Sequence, residues 1–551
     1  MDIKKEIRKI ALENALKYEG KASSGAVIGK TLAIFPKKKA TEIIKIVHEL
    51  VAEINTLSKE EQEKEFSSYA IKKERKREEK KTLPELPQAK KGKVIMRLAP
   101  YPSGPLHLGN AKPYIINDEY VKKYEGKLLL VIDDTIGSKE KEITKEAYAL
   151  IPQDLAWLKI KFDKKIYYKS DILPIYYKYA KELIKKEKAY ACFCSAETLR
   201  ENRKKGVACA CREFSREKNV AEFTKMTQNK YKEGKVSLRL KTDIKHKNPA
   251  FRDRVLFRIS ERAHPRTKKK FTCWPLLEFS WAIDDHLLEI THIIRGKELM
   301  MESEMEKFIW DIFQWKHPQI LHTALLQIEG IKLSKTKSRH EVISGKYQGW
   351  SDPRTWSLLS LKRRGFQVEA IRNFILNFGL NQNEVSVSVE ALYAENKKII
   401  EKTANRYFFI ENPKKVFIAN APSLTSEAPL HPDFTERGYR LLKTGKEFYV
   451  QDHLEKGKMY RFMHLFNFKD HAFLSEGHNP GLGAKLIHWL PAIQEVVHTE
   501  VVMPDGSIKK GIGEPSLKKL KIGTTIQFER FAFCIYDKRE KNKYIFYYTH
   551  R

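Results

Sequence analysis

Between residues 94 and 132, the apolar positions predict two short strands with a helix between them. The run Val94–Leu98 is apolar enough for a buried strand. The prolines and glycines that follow form a loop in which a helix cannot start. A helical pattern then covers Tyr114–Tyr124, with Gly126 as its C-cap. A second apolar strand covers Leu128–Ile132. This order predicts one strand–helix–strand unit of a parallel sheet, whose carboxyl edge binds ligands.

The N-terminal region carries a helical pattern. Residues 1–56 have apolar positions at helical spacing, for example Val47 and Val51, with the small-residue stretch Gly20–Lys30 as a loop or close packing point. The charged stretch Ser58–Lys81 predicts a solvated helix over most of its length, with a mobile linker as the alternative.

The C-terminal region carries a strand pattern. From Asn405 onward, short β-branched and aromatic runs alternate with turn signals, two of which are Pro504-Asp505-Gly506 and Gly511–Gly513. This alternation predicts antiparallel strands. We therefore expect the last part of the chain to be all-β.

The composition describes a globular chain of several domains with a strong positive charge. Its 551 residues exceed what one core supports, and 42% hydrophobic residues can fill several cores. The formal net charge of +34 favours a polyanionic partner, although a lysine-rich genome or adaptation to heat would explain part of it. The chain has few cysteines, no long apolar run and no apolar signal core near its start. We therefore expect a cytoplasmic protein that does not enter membranes.

Two motifs lie far apart in the chain. HLGN at residues 107–110 opens the predicted helix, where backbone N–H groups attract phosphate. KLSKT at residues 332–336 is a second polar segment. The first resembles the HIGH signature and the second the KMSKS signature of class I aminoacyl-tRNA synthetases. The whole chain resembles the archaeal-type glutamyl-tRNA synthetases of the glutamyl/glutaminyl subgroup, and three further stretches share the resemblance: Lys241–Asp253, Asp284–Glu298 and Gly349–Gly365.

The resemblance implies an α/β Rossmann-type catalytic domain with a zinc-binding insertion, a helical N-terminal extension and C-terminal all-β anticodon-binding barrels. We predict the extension and a charged linker at residues 1–85 and the catalytic domain at residues 86–330. Within it, residues 190–265 form the insertion, which grips the acceptor end of tRNA in the resembled family. The KMSKS-like loop and a helical stem-contact region follow at 331–404, and the anticodon-binding region at 405–551.

Anticodon recognition in such barrels uses aromatic stacking between positive charges. The resemblance makes four aromatic residues candidates for this role, although most of them fit a barrel core better. They are Tyr407, Phe408, Tyr460 and Phe462.

Amino-acid activation requires N–H donors and positive charge around the phosphates of ATP. The resemblance assigns catalysis to His107, Asn110 and Lys335, with Lys337 as the alternative loop lysine. Mg²⁺ is expected to arrive with ATP, since the sequence offers no dedicated cage for it. The predicted ATP-binding residues belong to the two motifs and to the loop before the helix: Pro102, Gly104, His107, Gly109, Asn110, Lys332, Ser334 and Lys335.

The predicted amino-acid pocket follows from the same resemblance. Arg97 and Arg295 match its two arginines, and Asp133 matches the acid that holds the substrate's α-amino group. A guanidinium binds a carboxylate through two parallel hydrogen bonds. Arg295 therefore argues against glutamine, because a neutral amide does not offset the burial of an unpaired guanidinium. Tyr101, the fourth predicted pocket residue, stands where the family has a small or amide residue.

Further departures from the family leave the amino-acid specificity open. Val131 stands in place of an arginine, Leu277 in place of a tyrosine, and Ile136-Gly137 in place of Asp-Pro. Our hypothesis is that Tyr101 supplies, from the opposite wall, the phenol that Leu277 lacks. These changes affect specificity more than they affect the use of ATP.

Two Cys-x-Cys pairs fall within the predicted insertion, Cys192 with Cys194 and Cys209 with Cys211. Four thiolates from two tight loops suit tetrahedral Zn²⁺, and the lysines between them offset part of the charge. Buried free cysteines and a disulfide are the alternatives. The other two cysteines are predicted core residues.

The predicted function is a glutamate–tRNA ligase. It activates L-glutamate with ATP to glutamyl-adenylate, releases pyrophosphate and transfers glutamate to the 3′-terminal adenosine of tRNA(Glu), and the resemblance adds that activation requires bound tRNA. Two alternatives stay open: a glutaminyl-tRNA synthetase, and a tRNA-binding paralogue with altered or lost activation. The sequence does not say whether tRNA(Gln) is also charged, which oligomer forms or which proteins bind the N-terminal extension.

Overall fold

The computed structural model describes residues 3–18, 20–35, 40–70, 83–138, 142–331, 333 and 335–551. Two compact units make up the chain, Met1–Thr82 and Leu83–Arg551, and each is described by itself. Lys332 and Ser334 of the predicted ATP site, and residues 71–81 of the charged stretch, lie outside the described residues. Within the described ranges, no helix combines the length and apolar character needed to cross a membrane.

Four helices form the N-terminal unit: α1 (Ile3–Lys17), α2 (Ser24–Ile34), α3 (Ala40–Ile54) and α4 (Lys59–Ala70). Their apolar faces meet in one core, in which Val47 and Ile54 are fully buried. The amide of buried Gln62 donates to the backbone carbonyls of Gly20 and Ile54. The helical pattern is confirmed, but the small-residue stretch is mostly helix α2 rather than a loop, and it packs against α3.

The second unit begins with the elements β1 (Ile95–Leu98), α5 (Leu108–Lys123), β2 (Lys127–Ile132), α6 (Ala147–Trp157), β3 (Ile166–Tyr168) and α7 (Leu173–Lys185). Strands β1 and β2 pair in parallel, as the apolar runs predicted, and β3 adds a third parallel strand beside β2. Helix α5 starts earlier than its apolar pattern indicated, because His107 caps it.

Gly126 is not the left-handed C-cap of this helix, so that prediction is wrong. The left-handed conformation falls on Glu125, with φ of 50°. A Cβ atom at Gly126 would collide with the carbonyl oxygen of Val94. Glycine is therefore needed for the close approach of the chain that enters β2 to the start of β1.

The insertion contains β4 (Ala189–Cys192), α8 (Ala196–Lys205), α9 (Arg216–Thr227), β5 (Ser237–Leu240), β6 (Val255–Ile259) and β7 (Cys273–Pro275). The four strands form an antiparallel sheet in chain order. It reaches Pro275, past the predicted end of the insertion at residue 265, because β7 completes the sheet.

The chain then returns to the parallel sheet through α10 (Leu277–Leu287), β8 (His292–Gly296), α11 (Met300–Phe313) and β9 (Gln319–Thr323). Strands β8 and β9 are parallel, and the backbone N–H of Thr291 donates to the Ile95 carbonyl of β1 at 2.9 Å. The chain therefore reverses its direction of progress across the sheet between β1 and β8. Ligands bind at the carboxyl ends of strands at such a switch point.

The connecting region contains β10 (Leu326–Ile328), α12 (Lys335–Ile343), α13 (Leu358–Arg363), α14 (Val368–Leu376), β11 (Val385–Val387) and α15 (Val389–Ile400). The backbone N–H of Leu358 donates to the carbonyl of Leu106 at 2.8 Å, just before the HLGN motif. Arg363 pairs with Asp537 at 2.9 and 2.8 Å. This region therefore contacts both the motif loop and the C-terminal strands.

The C-terminal region is all-β: β12 (Asn405–Tyr407), β13 (Phe409–Glu411), β14 (Lys414–Phe417), β15 (Thr425–Pro429), β16 (Tyr439–Lys443), β17 (Glu447–Val450), β18 (Met459–Phe462), β19 (Asn467–Lys469), β20 (Ala472–Ser475), β21 (Lys485–Ile487), β22 (Leu490–Pro491), β23 (Val497–Val502), β24 (Ile508–Gly513), β25 (Thr525–Phe528), β26 (Ala532–Glu540) and β27 (Lys543–His550). One seven-stranded sheet has the order β12-β25-β26-β27-β23-β24-β13. Gly511–Gly513 belongs to strand β24, so its interpretation as a turn is wrong, whereas residues 504–506 form the turn before it.

Two separate cores fill this all-β region. The four aromatic candidates for base stacking are all buried in these cores, and none is more than 6% exposed: Tyr407, Phe408, Tyr460 and Phe462. They pack between strands, as most of them were expected to do.

Candidate active site

His107 caps helix α5 and faces a cleft beside the carboxyl ends of β1 and β2. Its Nδ1 accepts the backbone N–H of Asn110 at 3.3 Å, while the Asn110 side-chain oxygen accepts the backbone N–H of His107 at 3.2 Å. Because Nδ1 is an acceptor, the ring proton lies on Nε2. Burial and the nearby charge of Lys335 lower the pKa of His107 to about 3, so the ring is a neutral donor at pH 7.

Two clefts adjoin His107 and Asn110. One, of about 460 Å³, is also lined by Asp133 and Lys335. The other, of about 770 Å³, runs along Gly109 and strand β10. The fold thus brings the first motif, the end of β2 and the start of α12 to one place, at the switch point of the sheet.

Lys335 is the first residue of helix α12, rather than the middle of a loop. Burial raises the pKa of Asp154 to about 7, and the charge of Lys335 opposes this rise. Lys337, the alternative lysine, is not among the described residues that line either cleft. The geometry therefore favours Lys335 as the cation that faces His107.

Pro102 and Gly104 shape the loop between β1 and α5. The carbonyl of Pro102 accepts the backbone N–H of Thr144 at 2.9 Å. Gly104 has φ of +145°, and a Cβ atom there would lie 2.8 Å from the Trp350 ring. Neither residue is among the described ones that line the two clefts. Their contact with ATP stays a prediction.

Arg97, in β1, is buried and bound to an acid. Its Nε and Nη2 donate to the two carboxylate oxygens of Asp285 at 2.7 and 2.8 Å. The guanidinium carbon lies 4.9 Å from the ring centre of Trp281. Burial alone would lower the pKa of Arg97, but Asp285 and neighbouring acids raise it, so its charge is secure.

Arg295, near the end of β8, repeats this arrangement. Its Nη1 and Nη2 donate to Glu306 of α11 at 2.8 and 2.5 Å, and its guanidinium carbon lies 5.1 Å from the ring of Trp281. Burial raises the pKa of Glu306, and Arg295 opposes that rise. The buried Nε of Arg295 has no hydrogen-bond partner among the described residues. Each predicted carboxylate-binding arginine therefore already holds a protein carboxylate.

Asp133 follows β2 and lies in a buried group of charged side chains. The Nζ atom of Lys169 is 3.4 Å from Asp133 and 3.6 Å from Asp284. The Tyr176 hydroxyl donates to Asp284 at 2.6 Å, and burial raises the pKa of Asp284 to about 7. Asp133 also lines the cleft that contains His107, as its predicted amine-binding role requires.

Tyr101 and Leu277 line this same cleft. Both also line an adjoining cavity of about 380 Å³ that extends toward the insertion. Burial and the charge of Asp133 raise the pKa of Tyr101, so its phenol stays protonated. Tyr101 and Leu277 therefore share one cleft, and the hypothesis that the Tyr101 phenol replaces the one missing at Leu277 stays a prediction. Val131 is buried within β2 and does not line the cleft.

The four cysteines of the insertion form one cluster. All their Sγ atoms lie within 4.8 Å of one another, and the Sγ atoms of Cys192 and Cys209 are 3.8 Å apart. Tetrahedral Zn–S bonds of about 2.3 Å place two sulfur atoms about 3.8 Å apart. The cluster could hold a metal, and its spacing and donor set, completed by Cys194 and Cys211, fit zinc. The disulfide alternative is not supported, because all four are free thiols.

A buried arginine accompanies this cluster. Arg239 Nη1 lies 3.7 and 3.6 Å from the Sγ atoms of Cys192 and Cys209. Arg239 therefore contacts the thiols directly, and it adds to the lysines that are expected to offset part of their charge.

Family models match three parts of the chain. Residues 93–402 match the catalytic domain of "tRNA synthetases class I (E and Q)", which is more than half of the 551 residues. Residues 404–481 and 486–537 match two anti-codon binding domains of the same class. The chain belongs to this family. The expected class I catalytic domain and all-β anticodon-binding region are confirmed.

Relatives of this class I synthetase are similar to it along its whole length. The glutamate–tRNA ligase of Methanocaldococcus jannaschii is 41% identical over 564 residues, which cover 100% of both chains. The glutamate–tRNA ligase of Pyrococcus furiosus is 43% identical over 583 residues, again 100% of both. A solved glutamate tRNA ligase from Elizabethkingia meningosepticum matches with 20% identity and a TM-score of 0.41, and covers 57% of this chain and 70% of that chain.

Sequence reasoning missed the residues that hold the arginines of this synthetase in place. Asp285 lies within a stretch that carried the family resemblance, yet nothing in its spacing indicates a bond to Arg97. Glu306 lies on α11 and Arg295 on β8, so no local periodicity links them. The expected burial of these arginines was a signal in the sequence, because a buried arginine requires a carboxylate nearby. This signal does not identify which acid supplies the carboxylate.

Proposed function

We propose that this protein is a glutamate–tRNA ligase, which uses ATP to join L-glutamate to tRNA(Glu). The observation that carries the proposal is the identity of 41% and 43% to two glutamate–tRNA ligases along whole chains. A catalytic-domain match alone would not separate the glutamate from the glutamine branch. The anticodon-binding region and the charge of +34 suit a tRNA partner.

The first step forms glutamyl-adenylate. An oxygen of the substrate's α-carboxylate bonds to the α-phosphorus of ATP, the bond to the bridging oxygen breaks, and pyrophosphate leaves. The Nε2–H of His107, the Asn110 amide and Lys335 stabilise the charge that builds on the phosphates, because donors fixed in advance lower the barrier most. Lys332, Ser334 and the backbone N–H groups at the start of α5 complete the ATP-binding set. Mg²⁺ accompanies ATP as part of the substrate.

The pocket selects its amino acid by charge. Asp133 binds the α-amino group, while the side-chain carboxylate is assigned to Arg97 and Arg295, which are buried and are not among the described residues that line the clefts. Asp285 and Glu306 orient the two guanidinium groups, and the Nε–H of Arg295 is a donor that Glu306 does not occupy. A buried donor without a partner favours a ligand that supplies an acceptor.

The second step transfers glutamate. A hydroxyl of the 3′-terminal adenosine attacks the carbonyl carbon of the adenylate, and AMP leaves. In the resembled family this hydroxyl is the 2′-hydroxyl. The Tyr101 phenol and Leu277 line the cavity that joins the cleft to the insertion, along which this end of the RNA arrives.

Zinc is the metal that we assign to the cysteine cluster. Four thiols with tetrahedral spacing match a closed structural site, which stabilises local folding and leaves no open position for chemistry. Cys192, Cys194, Cys209 and Cys211 would hold it. The cytoplasmic location expected from the sequence stays a prediction.

ATP–pyrophosphate exchange tests the proposed function. Glutamate with tRNA(Glu) should support exchange. Glutamine should not support exchange with tRNA(Glu) or with tRNA(Gln). Exchange with glutamine would instead identify a glutaminyl enzyme. If the protein binds tRNA but supports no exchange with either amino acid, it is a paralogue that has lost activation.

A further inference from the structure

Behind the active-site cleft, one buried lysine is shared by two acids. Lys169 follows β3 and is 1% exposed, and its Nζ lies 3.4 Å from Asp133 and 3.6 Å from Asp284. Both distances suit an ion pair but exceed the usual length of a hydrogen bond. Among the described residues, the short hydrogen bond of this Nζ goes to the Ser280 hydroxyl, at 2.7 Å. The lysine is therefore held between the two carboxylates rather than bound to one of them.

The two acids differ in their access to a substrate. Asp133 lines the cleft of about 460 Å³ that contains His107, and it also lines the adjoining cavity of about 380 Å³. Asp284 lies on α10, is 3% exposed and is not among the described residues that line either space. An α-ammonium group that enters the cleft can therefore meet Asp133 but not Asp284.

Lys169 and the α-ammonium group of the substrate compete for the same acid. Two cations at one carboxylate repel each other, and they do so strongly where water is excluded. Asp133 binds the ammonium group tightly only if another acid balances the charge of Lys169. Asp284 is in place to do this, because its carboxylate already lies 3.6 Å from the lysine Nζ.

The neighbours of Asp284 leave it free for this role. The Tyr176 hydroxyl of α7 donates to its Oδ1 at 2.6 Å. The charged or titratable groups that face Asp284 come from several elements: Arg97 of β1, Asp133 after β2, Lys169 after β3, Tyr176 of α7 and Asp285 of α10. Arg97 and Asp285 bind each other. Among these groups, Lys169 is therefore the cation that balances Asp284.

We propose that Asp284 is a positioning residue for amino-acid binding, which takes over the charge of Lys169 when the α-ammonium group of the substrate binds to Asp133. This rests on the proposed function, because it adds a residue to the amino-acid pocket of that reaction. Asp284 does not touch the substrate. It keeps Asp133 available, so it should affect how tightly the amino acid binds more than how fast the bound amino acid reacts.

The test measures the KM for glutamate in ATP–pyrophosphate exchange with saturating ATP and tRNA(Glu). Asp284→Asn keeps the side-chain shape and an acceptor for Tyr176, but it cannot take the charge of Lys169, which then stays with Asp133. The KM for glutamate should rise about tenfold at pH 8, the size expected when a hydrogen bond to a charged group is weakened. The kcat and the KM for ATP should be nearly unchanged.

A second substitution separates this role from a purely structural one. In Asp284→Asn/Lys169→Gln the competing cation is absent, so Asp133 should bind the α-ammonium group again. The KM for glutamate should then return most of the way to the wild-type value. The loss of the lysine would not rescue a residue that only shapes the pocket. A KM in the double variant as high as in Asp284→Asn would therefore overturn the proposal.

The pH profile gives a second readout. Burial raises the pKa of Asp284 to about 7. Below that pH the protonated acid cannot balance Lys169, so the KM for glutamate should rise as pH falls, and the KM for ATP should not. Tyr176→Phe removes a donor that stabilises the carboxylate, and it should move the midpoint of this profile up by about one pH unit.

Tyr177→Phe is the matched control for Tyr176→Phe. The Tyr177 hydroxyl, next along the same helix, donates to the backbone carbonyl of Cys273 at 2.7 Å, and its loss should leave the midpoint unchanged. Tyr176→Phe also keeps the test valid if Asp284→Asn does not fold. A profile that Tyr176→Phe does not move, or an unchanged KM for glutamate in Asp284→Asn, would overturn the proposal.

These failures differ from a failure of the proposed function, which is the absence of exchange with glutamate in the wild type. Glutamine carries the same α-amino group. If the wild type activates glutamine instead, the KM for glutamine tests the role of Asp284 in the same variants. A wild type that activates neither amino acid excludes both the proposed function and this role.

Discussion

The arginines below the active-site cleft and those on the insertion differ in what holds them. Arg97 and Arg295 are buried, and each donates two hydrogen bonds to one acid. Arg203 and Arg258 line a cavity and have no ion pair with the described residues. All four residues are arginines, but only the two on the insertion have a positive charge that no acid of the described residues neutralises. Removing a paired buried arginine leaves its acid buried and unpaired, which is strongly destabilising, whereas an unpaired arginine keeps its charge for a ligand.

The largest effect is expected from the four-cysteine cluster of the insertion, one member of which lines the same cavity as Arg203 and Arg258. Cys192→Ser should remove the metal and make the insertion sensitive to proteases, because structural zinc contributes about 10–16 kcal/mol in zinc-finger peptides. Metal analysis under reducing conditions should find one zinc in the wild type and none in the variant. Cys273→Ala, which removes a buried thiol outside the cluster, should keep the zinc. A wild type without zinc contradicts our metal assignment.

The next effect concerns the paired arginines. Arg295→Met should lower the free energy of unfolding by about 3–5 kcal/mol, because Glu306 stays buried without its partner. The double variant Arg295→Met/Glu306→Leu should recover most of this stability, yet it should still lose the preference of kcat/KM for glutamate over glutamine. Urea unfolding and kcat/KM for both amino acids separate the two roles. If the double variant keeps the wild-type preference, Arg295 is structural only, and Tyr101 with Leu277 becomes the candidate determinant.

Lys335, an accessible cation of the active-site cleft, should behave differently from the paired arginines and from the insertion arginines. Lys335→Ala should slow activation about 10²-fold or more with tRNA binding and stability nearly unchanged, because its charge acts mainly in the transition state. His107→Ala should have a similar effect through the loss of its Nε2–H. Lys337→Ala is the control for Lys335, and pre-steady-state adenylate formation is the measurement. A larger effect at Lys337 than at Lys335 would reverse this assignment.

The smallest effect extends the comparison to a buried acid that is held by a backbone N–H rather than by a guanidinium. Asp154 accepts the N–H of Leu106 at 2.7 Å, and burial raises its pKa to about 7. Between about pH 4 and pH 7 the folded protein keeps a proton that the unfolded chain releases, so stability falls as pH rises. Asp154→Asn should keep the hydrogen bond and remove this dependence.

The Asp154→Asn variant should therefore melt at least about 2 °C above the wild type at pH 8, where the wild-type carboxylate is charged while buried. At pH 4.5 the two midpoints should differ less. Equal differences at both pH values would show that Asp154 does not titrate in this range.

Much of the fold was predictable because its signals are local. The apolar runs at β1 and β2 and the alternation after Asn405 gave correct strands, since the side-chain period of a strand is set by its own backbone. The motif at residues 107–110 was correctly placed at the start of α5, although the apolar periodicity begins only at Tyr114. The role of Gly126 was predicted wrongly, because it depends on contact with Val94 just before β1.

The chemical groups of this protein are readable from its residues alone: two motifs predicted to bind phosphate, four thiols close together in the chain, and arginines and an acid predicted to bind a charged amino acid. What surrounds each group is visible only in the folded chain. It pairs Arg97 with Asp285 and Arg295 with Glu306, makes His107 a neutral donor, and leaves the Nε of Arg203 without an acceptor among the residues that the structure describes. The physical reason is that ion pairing and burial depend on which elements cross, and the free energy of a charge depends on those neighbours rather than on its own residue type.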